Sequence, residues 1–234
     1  TTKIVYMKNS DGSLKKDAKG DPIVLRTQNV KSTFILPDKK IQVIYRSDSS
    51  GTTENFTNYL NKSAPSVWTK AKNKVFSAGF PGNINDVANL GRIVGAASST
   101  GVSQLAGKTP YSITYAEKNW GDAYGLRTAY VSNASGQFVF PDSAAVSAFL
   151  GEASQDANGI VTYDYKTKVE GAYTLGIVSY MLVETKYANK AKGDAVEALA
   201  KYILSPECSA SNPKLGYVVV AGSFLTKAND QIAK

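Results

Sequence analysis

Histidine is absent from all 234 residues. That absence excludes the Ser-His-Asp and Cys-His arrangements of nucleophilic catalysis, imidazole-dependent zinc sites, and any histidine pH switch. Cysteine occurs once, at Cys208, so the chain forms no internal disulfide and no thiolate metal cage. No apolar run approaches the roughly 18 residues of a membrane helix. Stretches such as residues 217–221 are strand-sized. No signal peptide is visible, and the opening Thr1-Thr2-Lys3, without methionine, reads as a processed or truncated product. Hydroxyls, amides, carboxylates, Lys, Arg and Tyr remain to do the chemistry, which favours binding over catalysis. No cofactor and no metal are expected.

What is present suits a globular chain, with 43% hydrophobic residues, enough for a sizeable core. Lys and Arg number 27 against 19 Asp and Glu, a formal charge of +8. The lysines are scattered and no basic-aromatic module appears, so nucleic acid is not an expected partner. A basic surface fits an anionic cell envelope or the steering of an anionic solute.

Residues 1–40 differ in texture from the remainder and form a segment of uncertain assignment. Ile4-Val5-Tyr6-Met7 and Pro22-Ile23-Val24-Leu25 read as two strands joined by a solvated loop over residues 8–21. Within it, Asn9-Ser10-Asp11-Gly12 reads as a plain turn, since the downstream carboxylates miss EF-hand spacing. From Ile41 onward strand-like and helix-like runs alternate, the pattern of an α/β domain. Strands are expected at 41–45, 112–115, 160–163, 175–183 (long and buried) and 217–220. Helices are expected at 52–60, from 100, at 142–150, 193–204 and 223–233. Trp68 and Trp120 read as packing anchors. Gly107-Lys108-Thr109 imitates the end of a P-loop, but Val102 stands where its first glycine belongs.

The most informative segment is Arg46-Ser47-Asp48-Ser49-Ser50-Gly51-Thr52-Thr53, between a buried strand and a helix. A helix N-terminus offers free N–H groups and partial positive charge to an anion. Gly51 lets the backbone approach a ligand, Ser50 and Thr52 add hydroxyl donors, and Arg46 supplies a planar fork for a tetrahedral oxyanion. Asp48 repels an anion unless the anion carries a proton. It therefore reads as a discriminator that accepts a phosphate O–H and rejects sulfate. Ser, Thr and Gly before a helix are also ordinary capping chemistry. Arg46 and Asp48 together tip the reading toward a site.

Arg46-Ser47-Asp48, Ser50-Gly51-Thr52-Thr53 and the following Asn55-Phe56-Thr57, Tyr59-Leu60 resemble the phosphate-binding proteins of bacterial phosphate ABC transporters. Collinear matches follow at Gly95-Ala96-Ala97-Ser98-Ser99-Thr100-Gly101-Val102, Thr109-Pro110-Tyr111-Ser112-Ile113-Thr114-Tyr115-Ala116-Glu117, Gly171-Ala172-Tyr173-Thr174-Leu175 (with Thr174 for the usual Pro) and Gly216-Tyr217-Val218-Val219-Val220. The resemblance covers roughly Ile41 to the C-terminus. It implies a periplasmic-binding-protein-like (type II) α/β fold of two lobes that close on ligand about a hinge. Residues 41–168 would be the second, ligand-binding lobe and 169–234 the C-terminal part of the first. It further implies inorganic phosphate as ligand, held by Arg46, Asp48, Ser50, Gly51 and Thr52. An ABC transporter permease is the implied partner, in an extracytoplasmic setting with any lipid anchor lying outside this sequence.

Residues 1–40 hold no counterpart of the family's opening segment, so the first lobe is expected to be incomplete and half the implied ligand shell to be absent from this chain. Either an N-terminal portion lies outside this sequence, or residues 1–40 substitute for it, or a second chain completes the lobe. Without such a cover, runs such as Val218-Val219-Val220 are expected to be exposed. The competing function is a binding-protein fold reused as a cell-envelope interaction or structural module.

Overall fold

A computed structural model describes residues 2–29, 37–184, 186–210 and 217–232. The chain divides into two units, Thr1–Lys39 and Lys40–Lys234. In the first, β1 (Thr2–Tyr6) pairs antiparallel with β2 (Val24–Asn29), with a register shift between Val5 and Tyr6. Two strands are present as expected, but shifted: the first starts at Thr2 rather than Ile4, and the second runs Val24–Asn29 rather than 22–25. The intervening loop is more ordered than expected, because bridges Lys8–Leu14 and Lys16–Pro22 divide it into two small turns. Gly12 N–H donates to Asn9 O at 3.0 Å and Gly20 N–H to Asp17 O at 3.0 Å. Both glycines hold positive φ, 86° and 88°, where residues with a Cβ are strained.

The second unit begins with β3 (Gln42–Arg46), α1 (Gly51–Ser63) and the short α2 (Phe76–Gly79). β4 (Ile93–Ala96), α3 (Ser98–Lys108), β5 (Ser112–Ile113) and α4 (Lys118–Ala123) follow. β3 lies between β4 and β5, parallel to both, with Val43 opposite Ile93 and Ile113. Each parallel pair needs a crossover, and α1 and α3 lie in those connections. Ile44 at the centre of β3 is buried against Val102 and Ala106 of α3, with Leu105, Ala116 and Leu126 packed around them. This layering brings the C-terminal ends of β3 and β4 beside the N-termini of α1 and α3, where open α/β sheets present their ligand crevices.

The rest of the unit is built from short pieces. β6 (Val131–Ser132) pairs with β7 (Phe138–Val139), α5 (Ser143–Gly151) follows, and β8 (Ser154–Gln155) pairs with β9 (Val161–Thr162). α6 (Lys190–Ile203), α7 (Pro206–Ser209) and α8 (Gly222–Ile232) complete the described chain. A second core forms where Phe149 of α5 meets Tyr165 and Ala172, with Tyr59 of α1, Tyr163 and Leu150 around it. Trp68 packs on Phe76 and Phe80 at centroid distances of 6.0 and 5.9 Å, the anchor role expected of it.

Two strand expectations fail. Residues 175–183 and 217–220 form no strand; both runs are irregular backbone where described. Tyr180, Met181 and Val183 are exposed and Leu182 is 92% exposed, while Tyr217, Val219 and Val220 are also uncovered. An apolar run marks a surface that prefers burial, but a strand also needs a neighbour to pair with. The described residues supply none for either run.

Candidate functional site

Ser50 starts α1 from an extended conformation, φ −148°. Its Oγ accepts hydrogen bonds from Thr52 N–H at 3.1 Å and Thr53 N–H at 3.4 Å. Ser50 is therefore the N-cap of α1, the role that Ser before a helix ordinarily plays. The Gly51 amide has no partner among the described residues and is left for a ligand or water.

Arg46, at the end of β3, bends back onto the loop that follows. Its Nε donates to Asp48 Oδ1 at 2.8 Å and its Nη2 to Oδ2 at 2.5 Å, a bidentate charge-assisted pair. Nη1 donates to Ser99 Oγ at 3.0 Å. Asp48 Oδ1 also accepts the Ser98 amide at 3.0 Å. Ser98, the first residue of α3, sits at φ 64°, and its Oγ accepts the Gly101 amide at 3.2 Å. The Arg46 side chain is 11% exposed and that of Asp48 38%, which places the carboxylate on the open side of the pair.

A second strand of contacts runs beneath. Tyr115, after β5, shares a hydrogen bond with Thr53 Oγ1 at 2.8 Å and accepts the Arg46 amide at 3.3 Å. Phe56 stacks on its ring at 4.3 Å. Thr52 Oγ1 donates to Glu117 Oε1 at 2.9 Å, while Glu117 Oε2 is buried without a partner among the described residues. Arg46, Asp48, Ser98, Ser99, Glu117 and Thr52 thus surround the adjacent N-termini of two helices.

The electrostatics follow from these contacts. Hydrogen bonds from the Arg46 guanidinium hold the Asp48 carboxyl well below the usual carboxylate range, and the Ser98 amide adds to the effect. The Asp48 hydrogen bond in turn raises Arg46, against the effect of burial. Burial pushes Glu117 up, but the neighbouring Ser99 hydroxyl, its own backbone, the hydrogen bond from Thr52 and the charge of Arg46 leave it below its ordinary value. Burial pushes the Tyr115 phenol up. All but Tyr115 are charged at neutral pH.

Because Asp48 titrates lower folded than unfolded, the stability it contributes is fully present above the ordinary carboxylate pKa of about 4 and is lost as pH falls toward its folded pKa. Asp48→Asn is expected to flatten this acid limb, measured as urea midpoints from about pH 5 to about pH 3.

Three of the five expected site residues, Arg46, Asp48 and Thr52, belong to this hydrogen-bonded ring, and Ser50 and Gly51 form the helix start beside it. Direct contacts from Ser98, Ser99 and Glu117 were not expected as such. The one available signal was their place in the collinear segments at 95–102 and 109–117. Among the described residues no group of three or more Cys, Asp or Glu side chains could hold a metal ion.

The model of the PBP superfamily domain matches residues 18–207. Phosphate-binding protein PstS 3 of Mycobacterium tuberculosis (strain ATCC 25618 / H37Rv) is 29% identical over 88% of this chain and 54% of its own length. Phosphate-binding protein PstS of Xylella fastidiosa (strain Temecula1 / ATCC 700964) is 30% identical over 67% of this chain and 41% of its own. The chain therefore spans about half the length, or less, of these curated relatives. The ancestral soluble variant of the Human Phosphate Binding Protein superposes with a TM-score of 0.59 at 22% identity, over 81% of this chain and 58% of that one. A DING protein structure gives 0.58 at 19% identity, with the same coverages. These neighbours share the fold, a periplasmic-binding-protein-like α/β architecture. With the superfamily model matching most of its length, the chain belongs to the PBP superfamily.

Proposed function

We propose that this chain binds inorganic phosphate at Arg46, Asp48, Ser50, Gly51 and Thr52 and delivers it, without chemistry, to an ABC transporter permease outside the cytoplasm. The observation that carries the reading is the bidentate Arg46–Asp48 pair set between the N-termini of α1 and α3. The relatives named as phosphate-binding proteins support it. Arg46 supplies the positive charge and the Gly51 amide a neutral donor, while Asp48 accepts a hydrogen bond from the ligand's O–H. Among the described residues no helix is long and apolar enough to cross a membrane.

Residues 41–168 form the ligand-binding lobe in this reading, and 169–234 the returning part of the other lobe. A further polypeptide, in this chain or a second one, would complete that lobe. The exposed apolar residues Tyr180, Met181, Leu182 and Val183 are the surface such a segment would cover.

The test is calorimetric titration of the parent protein and Asp48→Asn with phosphate and with sulfate at neutral pH. The parent is expected to prefer phosphate by at least about tenfold, since a sulfate oxygen would leave two acceptors facing each other. Asp48→Asn should narrow the preference by gaining sulfate. Equal affinity of the parent for both anions would contradict the role given to Asp48.

A further inference from the structure

An ionised carboxylate has no hydrogen to donate, and a threonine hydroxyl has one. The contact of 2.9 Å between Thr52 Oγ1 and Glu117 Oε1 therefore commits the Thr52 hydrogen to Glu117. What the Thr52 oxygen keeps for a ligand is lone pairs. Turning the hydrogen away would deprive Oε1 of its partner in a carboxylate whose Oε2 is already buried without one among the described residues. An abandoned buried acceptor is costly, so the arrangement resists being undone by a ligand. Asp48 Oδ2 is a second acceptor on the open side of the site. It takes one hydrogen bond, from Arg46 Nη2, and retains capacity for another.

The charges point the same way. Arg46 on β3, Asp48 in the loop after it, and Glu117 and Tyr115 in the segment after β5 are the titratable groups coupled at this point. α1 and α3 contribute hydroxyls there, from Thr52, Thr53 and Ser99, and Lys118 of α4 pairs within its own helix with Asp122. With Tyr115 neutral, two carboxylates face one guanidinium. A dianion meets net negative side-chain charge, whereas a monoanion carrying two hydrogens meets two acceptors.

We propose that Glu117 is a positioning residue that holds Thr52 as a hydrogen-bond acceptor, so that the site takes phosphate as the dihydrogen anion in preference to the hydrogenphosphate dianion. The inference rests on the phosphate reading above and specifies the protonation state that the same site selects. Glu117 stays ionised throughout the neutral range, so the proton that matters belongs to the ligand.

The experiment is calorimetric titration of the parent protein and Glu117→Gln with inorganic phosphate, from about pH 5.5 to about pH 8.5, with sulfate at each pH. Affinity of the parent for total phosphate should fall about tenfold per pH unit once the dihydrogen anion loses its proton, the slope for one required proton. In Glu117→Gln the amide can donate to Thr52 Oγ1 and free the Thr52 hydrogen. Its pH slope should be shallower, with a gain in sulfate affinity. A parent affinity that is constant or rises with pH overturns the inference without use of the variant, and so does a variant profile parallel to that of the parent. A parent that binds no phosphate at any pH overturns the phosphate reading itself. Binding with a flat profile leaves that reading standing and removes this one alone.

Discussion

Arg46→Ala is expected to lower phosphate affinity by about one to two orders of magnitude. Removing a charged hydrogen-bond donor to an anion costs about 1.5–3 kcal/mol. Each 1.4 kcal/mol is roughly tenfold in affinity. Arg46 is mostly buried and donates to Asp48 through two atoms and to Ser99 through a third, so its removal strands Asp48 beside the α3 N-terminus. Arg46→Lys keeps the charge but not the planar fork, and should recover only part of the loss. Calorimetry with phosphate measures both variants. An Arg46→Ala protein with unchanged affinity would remove the guanidinium from the ligand's surroundings.

Phe149→Ala should produce the largest loss of stability. Phe149 is 0% exposed and packs on Tyr163 and Tyr165 at centroid distances of 5.7 and 5.9 Å. Replacing a core Phe by Ala costs about 3–5 kcal/mol, the cavity included. At roughly 2–4 °C per kcal/mol for a unit of this size, the melting temperature should fall by about 6–20 °C. A second readout is local. Burial pushes the Tyr165 phenol up to about 12, opposed by its hydrogen bond from Asn58. Opening the cluster to water should bring that titration back toward the ordinary tyrosine value, visible by ultraviolet absorbance. A melting temperature within about 2 °C of the parent would mean that this cluster is not a supporting core.

The β3–α1 junction was legible because local signals agree there. Residues 41–45 form a short apolar run, Ser50 is a capping residue, and Phe56, Tyr59 and Leu60 recur at helical spacing; the structure gives β3 over Gln42–Arg46 and α1 over Gly51–Ser63. The α5 helix was legible for the same reason, with Asp142 capping it through the Ala145 amide at 2.8 Å. Residues 175–183 were misread because hydrophobicity reports a preference for burial and carries no information about a pairing partner. The second half of that run, residues 179–183, is exposed in the described chain.

The site divides in the same manner. Arg46 and Asp48 are two residues apart, and the physical oddity of a carboxylate beside an arginine is visible in the text. Ser98, Ser99 and Glu117 reach the same point only because β3 pairs in parallel with both β4 and β5. Parallel pairing joins segments about 50 to 65 residues apart, as in the Ser98–Asp48 and Thr52–Glu117 contacts, and no local pattern announces it. The direction of the Thr52 hydrogen bond is a further step removed, since it depends on the ionised state of Glu117.

The central claim, that phosphate sits at the paired helix entrances, is tested most directly by titrating isotopically labelled protein with inorganic phosphate and following backbone amides by NMR. The expected result is saturable movement of the Gly51, Ser98, Ser99 and Thr100 amides, with little response to the same concentrations of sulfate. Movement confined to other parts of the chain, or equal movement with both anions, would contradict it.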